Sequence, residues 1–112
     1  MKGETIYVAG PMRGHHCYNF KNFFFRQVEF ERSGYTVINP AELDCIRWME
    51  DGWLFTEDKY EEIIELDCKM IREEADILFV LHGWETSKGA NREIAEAEKK
   101  GILVAYEDNP IR

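Results

Sequence analysis

Long apolar runs and a basic stripe are both missing from this chain, and each absence disfavours a class of protein. No apolar run approaches the roughly 20 residues that a membrane-spanning helix needs, so we expect no contact with a membrane. The net charge is −8, from 22 acidic and 14 basic residues, and this balance disfavours binding to a nucleic-acid polymer. The same net charge is compatible with a local pocket that binds a single nucleotide.

Paired cysteines are also missing. Cys17, Cys45 and Cys68 form no C-x-x-C motif, and an odd number of cysteines is typical of free thiols in a reducing compartment. The amino terminus enters a strand pattern directly, without the charged and then apolar segments of a secretion signal. We therefore expect a cytoplasmic protein. The length of 112 residues and the hydrophobic content of 45% predict one domain, residues 1–112, with one core.

Short apolar runs alternate with segments of helical periodicity. The predicted strands are 5–9, 35–38, 76–82 and 102–106, and the predicted helices are 19–32, 57–75 and 90–100. Asn19 or a neighbour is the expected cap of the first helix, and residues 41–56 are expected to be irregular. The alternation predicts an α/β fold: a three-layer, flavodoxin- or Rossmann-like parallel sheet of four to five strands. Helices would cover both faces, and the strand order would be near 2-1-3-4.

Residues 87–93, Ser-Lys-Gly-Ala-Asn-Arg-Glu, lie where the third predicted strand is followed by a helix. Folds of this class bind ligands at the carboxyl ends of their strands. Helical spacing places Glu93 beside Gly89, Ala90 and Ala97, so its carboxylate faces small apolar residues and not the solvated side of the helix. Such a position for a charge favours a functional role.

Asp67 is a second carboxylate within an apolar stripe. Its helical neighbours are Ile63, Ile64, Met70 and Ile71. Asp67 precedes the third strand and Glu93 follows it, so both can line the same edge of the sheet. Two carboxylates in one partly apolar pocket have their pKa values pushed apart, which permits one acid and one nucleophile, as in glycosyl-bond cleavage. The alternative for Asp67 is a structural bond to the backbone or to a nearby Arg or Lys.

The loop after the first strand is a candidate anion site. It consists of Gly10, Pro11, Met12, Arg13 and Gly14. Its glycines let the backbone approach a ligand, a helix start binds anions, and Arg13 offers a fork-shaped partner for phosphate or carboxylate. The loop matches neither G-x-G-x-x-G nor a Walker A motif, and an ordinary tight turn is the equal alternative.

Several aromatic side chains are candidates for the same site. Tyr7 lies on the first strand and is either a core residue or a group that orients Glu93 through its hydroxyl. Trp48, Trp53, Phe55 and Trp84 are suited to stack on a flat base. A core or interface role is the alternative for each of them.

No metal site is expected. His15, His16 and Cys17 are consecutive and cannot easily converge on one ion, and no distant partner has zinc-ligand spacing. His82 is interpreted as a polar residue at a strand end. Cys68 lacks the His and Asn partners that a cysteine nucleophile uses.

Three segments in register resemble the nucleoside 2-deoxyribosyltransferase superfamily over nearly the whole chain. They are Ile-Tyr-Val-Ala-Gly-Pro at 6–11, Asp67 ahead of Ala-Asp-Ile-Leu at 75–78, and Gly-x-x-x-Glu at 89–93. The resemblance is strongest to small bacterial and phage members of unassigned function. Residues 10–14 and the motif Ser-x-Gly-x-x-x-Glu at 87–93 are also similar to the 2'-deoxynucleoside 5'-phosphate N-hydrolases.

The resemblance implies a role for each matching residue. Glu93 would be the nucleophile that attacks C1' of the sugar, Asp67 would bind the sugar or base and help the leaving base accept a proton, and Tyr7 would hold Glu93. The implied phosphate-binding groups are Ser87, Arg13 and the backbone of Gly10 to Gly14. Members use no metal or organic cofactor, and they are usually dimers or larger, with a neighbouring subunit completing the pocket.

Two departures leave the acceptor and the base preference open. The chain ends soon after the fourth strand, where the transferases usually continue, and residues 94–97 read Ile-Ala-Glu-Ala where many members have a glycine. We predict an N-glycosidase acting on a nucleoside or deoxynucleoside or its 5'-monophosphate, with water as acceptor, and a homodimer or larger assembly. Base transfer through the same intermediate and a non-catalytic nucleotide-binding module are the alternatives.

Overall fold

A parallel four-stranded sheet forms the centre of the fold. The computed structural model describes residues 3–12, 19–44 and 57–108, with side chains of the last range described from residue 61. The strands are β1 (Thr5–Ala9), β2 (Thr36–Ile38), β3 (Ile77–Val80) and β4 (Leu103–Tyr106). Their order is β2-β1-β3-β4 and every neighbouring pair is parallel, which confirms the predicted topology.

Helices cover both faces of this sheet. They are α1 (Phe20–Arg32), α2 (Glu57–Glu74) and α3 (Lys88–Lys100). Side chains of β1 alternate between the faces: Ile6 and Val8 share a buried cluster with Phe23 of α1. Tyr7 and Ala9 belong to the opposite cluster, which contains side chains of α2 and α3. Those side chains include Ile71, Ile94 and Ala97. The fold is therefore a three-layer, Rossmann-like α/β fold, as predicted.

Residues 40–44 are helical, whereas the whole segment 41–56 was predicted to be irregular. The cause is the dipeptide Asn39-Pro40. Asn39 Oδ1 accepts a hydrogen bond from Ala41 N at 2.9 Å, and proline is favoured as the first helical residue. Asn39 Nδ2 also donates to Gln27 Oε1 at 3.0 Å, which attaches this segment to α1. Trp48, Trp53 and Phe55 lie outside the described residues.

Asn19 precedes α1 but its side chain does not cap the helix, which corrects the prediction for this residue. It adopts the left-handed conformation with φ 62. Its Nδ2 donates to Pro11 O at 3.0 Å, and its Oδ1 accepts from Asn22 Nδ2 at 2.6 Å. Asn19 therefore connects the loop after β1 to the start of α1.

Gly10 is required by packing between the ends of β1 and β3. A Cβ atom at this position would lie 2.7 Å from Leu81 Cβ, closer than real side chains approach each other. Leu81 cannot retreat easily, because it is buried and its backbone N donates to Ala9 O at 2.8 Å. The glycine thus has a structural explanation that needs no ligand.

Gly10→Ala is expected to lower the free energy of unfolding by about 1–3 kcal/mol, because it overpacks a close contact. Urea denaturation of the ligand-free protein measures the change. Gly101→Asn is the comparison: Gly101 has φ 85 and open space around it, and asparagine tolerates that conformation, so a smaller loss is expected. A wild-type urea midpoint for Gly10→Ala would contradict the packing explanation.

Candidate active site

A buried hydrogen bond joins two of the predicted site residues. Tyr7 Oη donates to Glu93 Oε2 at 2.6 Å, across 86 residues of sequence. This distance is typical of a hydroxyl bound to a carboxylate. Tyr7 is fully buried in β1, one of the two central strands, and Glu93 is 6% exposed on α3. The contact that the predicted orienting role requires is therefore present, although that role stays a prediction.

The start of α3 determines where Glu93 lies. Ser87 caps the helix, since its Oγ accepts a hydrogen bond from Ala90 N at 3.1 Å, and α3 therefore begins at Lys88, earlier than the predicted residue 90. Gly89 lies in the first turn of this helix. Asn91 Nδ2 stabilises the preceding turn by donating hydrogen bonds to the backbone carbonyl groups of Trp84, Glu85 and Ser87.

Small side chains let α3 lie close to the sheet. Ala90 and Ala97 are buried on the same helical face as Glu93, as the spacing predicted. A larger residue at either position would move the helix axis away from β1. The short side chains of this face thus allow the Glu93 carboxylate to contact the Tyr7 hydroxyl.

Asp67 lies on the inward face of α2, within the predicted apolar stripe. It is 5% exposed, and Ile63, Ile64 and Ile71 are buried beside it. Its negative charge raises the pKa of both Tyr7 and Glu93, so the three side chains form one electrostatic unit. The structure therefore places the two predicted carboxylates and the tyrosine together.

Asp44 is a third buried carboxylate of this cluster, and the sequence reasoning missed it. It is 4% exposed, and its charge also raises the pKa of Tyr7 and Glu93. Pro40, Ala41 and Asp44 are buried while Glu42 is exposed, which is helical spacing with one inward face. The cap signal at Asn39-Pro40, read together with that spacing, would have revealed Asp44.

Burial dominates the electrostatics of the Tyr7–Glu93 pair. It raises the pKa of Glu93 well above the ordinary 4.5, and the charges of Asp67 and Asp44 raise it further. The hydrogen bond from Tyr7 acts against them and lowers this pKa. Burial, the charge of Glu93 and, to a smaller extent, the charges of Asp67 and Asp44 raise the pKa of Tyr7 well above 10.0, so Tyr7 remains a hydrogen-bond donor at neutral pH. The arrangement can hold one protonated and one ionised carboxyl group side by side.

The cations nearest to Glu93 along α3 are paired with acids of α2. Lys88 Nζ contacts Glu61 Oε1, and Arg92 contacts both Glu61 and Glu65. These ion pairs connect the amino-terminal half of α2 to the start of α3. They also lie on the exposed side of the two helices, because Lys88, Glu61 and Glu65 each keep a large part of their side chain in solvent.

The described part of the predicted phosphate loop contacts protein. Gly10 packs against Leu81, Pro11 is buried with its carbonyl bound to Asn19, and Met12 packs on the cluster around Phe23. Arg13 and Gly14 lie outside the described residues. A phosphate-binding role for this loop stays a prediction.

Trp84, a predicted base-stacking residue, contacts another aromatic ring. Its indole lies 5.2 Å from the ring of Tyr106, centroid to centroid. Trp84, Glu85, Tyr106 and Asp108 line a cavity of about 270 Å³ in which none of the clustered carboxylates takes part. Trp84 therefore packs against Tyr106 of β4, and a contact between Trp84 and a substrate base stays a prediction.

The structure also describes His82 and Cys68, which the sequence did not favour as catalytic residues. His82 Nδ1 pairs with Asp108 at 2.8 Å at an exposed position, and its backbone N donates to Glu107 at 2.9 Å. Burial raises the pKa of the Cys68 thiol to about 11, so this group is protonated at neutral pH. His15, His16, Cys17 and Cys45 lie outside the described residues.

Within the described ranges 3–12, 19–44 and 57–108, no group of three or more His, Cys, Asp or Glu side chains is arranged to hold a metal ion. No helix in these ranges has the length and apolar character needed to cross a bilayer.

The chain matches a known protein family. The model of a family described as "Domain of unknown function (DUF4406)" matches residues 4–106. The chain belongs to the DUF4406 family. Tyr7, Asp44, Asp67 and Glu93 all lie within the matched segment, so the buried cluster is part of the DUF4406 domain. No curated protein matches the chain.

Proposed function

We propose that this DUF4406 protein is an N-glycosidase that cleaves the base–sugar bond of a nucleoside or deoxynucleoside or its 5'-monophosphate. The observation that carries the proposal is the buried 2.6 Å hydrogen bond between Tyr7 and Glu93, in a cluster that also contains Asp67. The resemblance to the nucleoside 2-deoxyribosyltransferase superfamily supports it, since the residues that match the motifs of that superfamily are the ones found together.

Each group has one task in the proposed reaction. The ionised Glu93 carboxylate forms a bond to C1' of the sugar while the C1'–N bond breaks, and the base leaves with the electron pair. Asp67 in its protonated form supplies the proton that the base needs. Water then attacks C1', its proton returns to Asp67, and the sugar–Glu93 ester bond breaks. A second free base in place of water would give transfer, which is the alternative outcome.

The Tyr7 hydroxyl supports the nucleophile in this scheme. Burial and two neighbouring carboxylates favour the neutral form of Glu93, which cannot attack C1'. A hydrogen bond donated to the carboxylate opposes them and fixes its direction. Tyr7 thereby keeps part of the Glu93 population ionised in an environment that disfavours charge.

A base-release assay tests the proposal. Purified protein is incubated with ribo- and deoxyribonucleosides and their 5'-monophosphates, and free base is measured by chromatography. We expect release by the wild type and none by Glu93→Gln, and an added free base distinguishes transfer from hydrolysis. No release from any substrate, with a nucleoside still raising the melting temperature, would replace the enzyme by the non-catalytic binding module. The homo-oligomer and the cytoplasmic location stay predictions.

A further inference from the structure

A small cavity is lined by residues that follow β3 and by residues at the end of β4. Its volume is about 270 Å³, and its lining consists of Trp84, Glu85, Tyr106 and Asp108. None of the residues assigned to the proposed reaction is among them. Parallel α/β sheets bind ligands at this edge, and the volume is close to the roughly 300 Å³ of the smallest small-molecule sites. The cavity is therefore suited to a small ligand.

Hydrogen bonds and ring packing hold the lining residues in place. Asn91 Nδ2 donates to Trp84 O at 3.1 Å and to Glu85 O at 3.2 Å, which fixes the backbone on one side of the cavity. On the other side, Tyr106 belongs to β4 and is paired with Val80 in the sheet. The Trp84 and Tyr106 rings contact each other at a centroid distance of 5.2 Å and an angle of 47°. A ligand therefore does not have to order these groups, which lowers the entropic cost of binding.

The lining combines aromatic rings with carboxylates. The faces of aromatic rings carry partial negative charge and attract cations, and tryptophan does so most strongly. Glu85 and Asp108 add two carboxylates, and no Lys, Arg or His is among the described residues that line the cavity. Both kinds of group favour a positively charged ligand, and both disfavour a phosphate or a carboxylate.

The state of His82 supports this sign of charge beside the cavity. His82 Nδ1 lies 2.8 Å from Asp108 Oδ2 at an exposed position. The hydrogen bond to Asp108, together with the charges of Asp108, Glu85 and Glu107, raises the pKa of His82. A carboxylate offers about four lone-pair positions, so Asp108 can contact a ligand while it contacts His82.

Aromatic rings favour a weakly hydrated cation over a compact one. A primary ammonium group holds its water strongly, and a small metal ion does so even more. Methyl groups on the nitrogen weaken hydration and pack on the rings, as in aromatic cages for methylated ammonium groups. We propose that the cavity lined by Trp84, Glu85, Tyr106 and Asp108 binds an organic cation with a methylated or quaternary ammonium group. This site is separate from the proposed N-glycosidase centre and does not depend on it.

Choline and the neutral alcohol 3,3-dimethylbutanol test the proposal, because they share one shape and differ in charge. Each is titrated into isotope-labelled protein at constant ionic strength, and NMR follows the indole N–H resonance of Trp84. The chain has three tryptophans, and Trp84→Phe identifies this resonance by its loss. We expect a Kd of about 1–10 mM for choline, as for other ligands of few atoms, and at least about fivefold weaker binding of the alcohol. Equal affinities, or no shift of this resonance with choline, would overturn the proposal.

Removing the two carboxylates tests their part in binding. Glu85→Gln combined with Asp108→Asn should weaken choline binding by about tenfold, since one exposed contact between opposite charges contributes up to about fivefold. Glu31→Gln combined with Glu42→Gln is the matched control, because it removes the same charge from exposed positions that do not line the cavity. The control should bind choline as the wild type does. Equal weakening in both double variants would assign binding to the net charge of −8 and overturn the site.

Tyr106→Leu tests the aromatic part. This variant should bind choline at least about threefold more weakly, whereas Tyr106→Phe keeps the ring and should bind it as the wild type does. Unchanged choline binding in Tyr106→Leu would contradict the role of the ring. Circular dichroism checks each fold, and the exposed charge variants decide the proposal if Tyr106→Leu does not fold. None of these measurements needs turnover, so absence of base release would overturn the N-glycosidase proposal alone.

Discussion

Glu93→Gln is expected to lower the rate of base release by roughly 10³-fold or more while the protein keeps its fold. An amide is not a nucleophile toward C1', so the glycosyl-enzyme intermediate cannot form. The amide nevertheless keeps the shape of the side chain, and its oxygen can still accept the hydrogen bond that Tyr7 donates to Glu93 at 2.6 Å. Rates are measured by chromatography of the free base, and the fold is checked by circular dichroism.

Glu98→Gln is the matched control for this substitution. Glu98 lies on the exposed face of the same helix, so the variant loses the same charge without touching the cluster. Wild-type turnover is expected. Activity that survives in Glu93→Gln would show that another group is the nucleophile.

Glu93→Gln should also change how the stability of the protein depends on pH. Folding raises the pKa of Glu93 above the ordinary 4.5, so between 4.5 and the raised value the folded state holds a proton that the unfolded state has lost. Glu93 therefore lowers stability as pH rises through this window. Glu93→Gln lacks that loss, and its melting temperature should exceed that of the wild type by a margin that grows with pH. A margin independent of pH would contradict the raised pKa.

Tyr7→Phe and Asp67→Asn are expected to change opposite limbs of the pH–rate profile. The nucleophile must be ionised, so activity rises with pH through the raised pKa of Glu93. Loss of the Tyr7 hydrogen bond raises this pKa and moves the acid limb to higher pH. Asp67 acts in its protonated form, so activity should fall again at high pH as this proton is lost, and Asp67→Asn should lack that alkaline limb. The measurement is kcat from about pH 4 to about pH 9.

Tyr7→Phe and Asp67→Asn should also lower kcat at the pH of maximal activity. Asp67→Asn removes the proton donor for the leaving base, which contributes about 10²- to 10⁴-fold. Tyr7→Phe removes the group that directs the carboxylate, and a smaller loss is expected. Tyr35→Phe is the control, because the ring of Tyr35 packs on Phe30, in the cluster on the opposite face of the sheet. An acid limb that stays in place in Tyr7→Phe, or an alkaline limb that persists in Asp67→Asn, would contradict the assigned roles.

The local pattern of the chain was sufficient to predict most of the fold. Alternating apolar runs separated by helical segments predicted a parallel sheet with the strand order that the structure has. The errors occurred at element ends. Ser87 extends α3 by capping it, and Asn39 starts a helix where loop was expected, because each side chain satisfies a backbone N–H.

The sequence predicted only those site residues that lie in segments with a clear helical period. Helical spacing alone indicated that Glu93 and Asp67 face inward, since that depends only on near neighbours in the same helix. Asp44 was not predicted as a site residue, because its segment was predicted to be irregular and no helical period could be assigned to it. Gly10 was interpreted either as a ligand-binding glycine or as part of an ordinary tight turn, and the structure adds its close contact with Leu81, which no local pattern indicates.

The periods of helices and strands are local properties of the chain, so the residue pattern alone indicated which side chains turn toward the interior. Which of these side chains contact one another depends on the packing of the whole domain. The 2.6 Å contact between Tyr7 and Glu93 depends on the parallel register that pairs Tyr7 with Leu78, and on the small residues that hold α3 close to the sheet. Distances between elements follow from packing across the whole domain, and no local pattern encodes them.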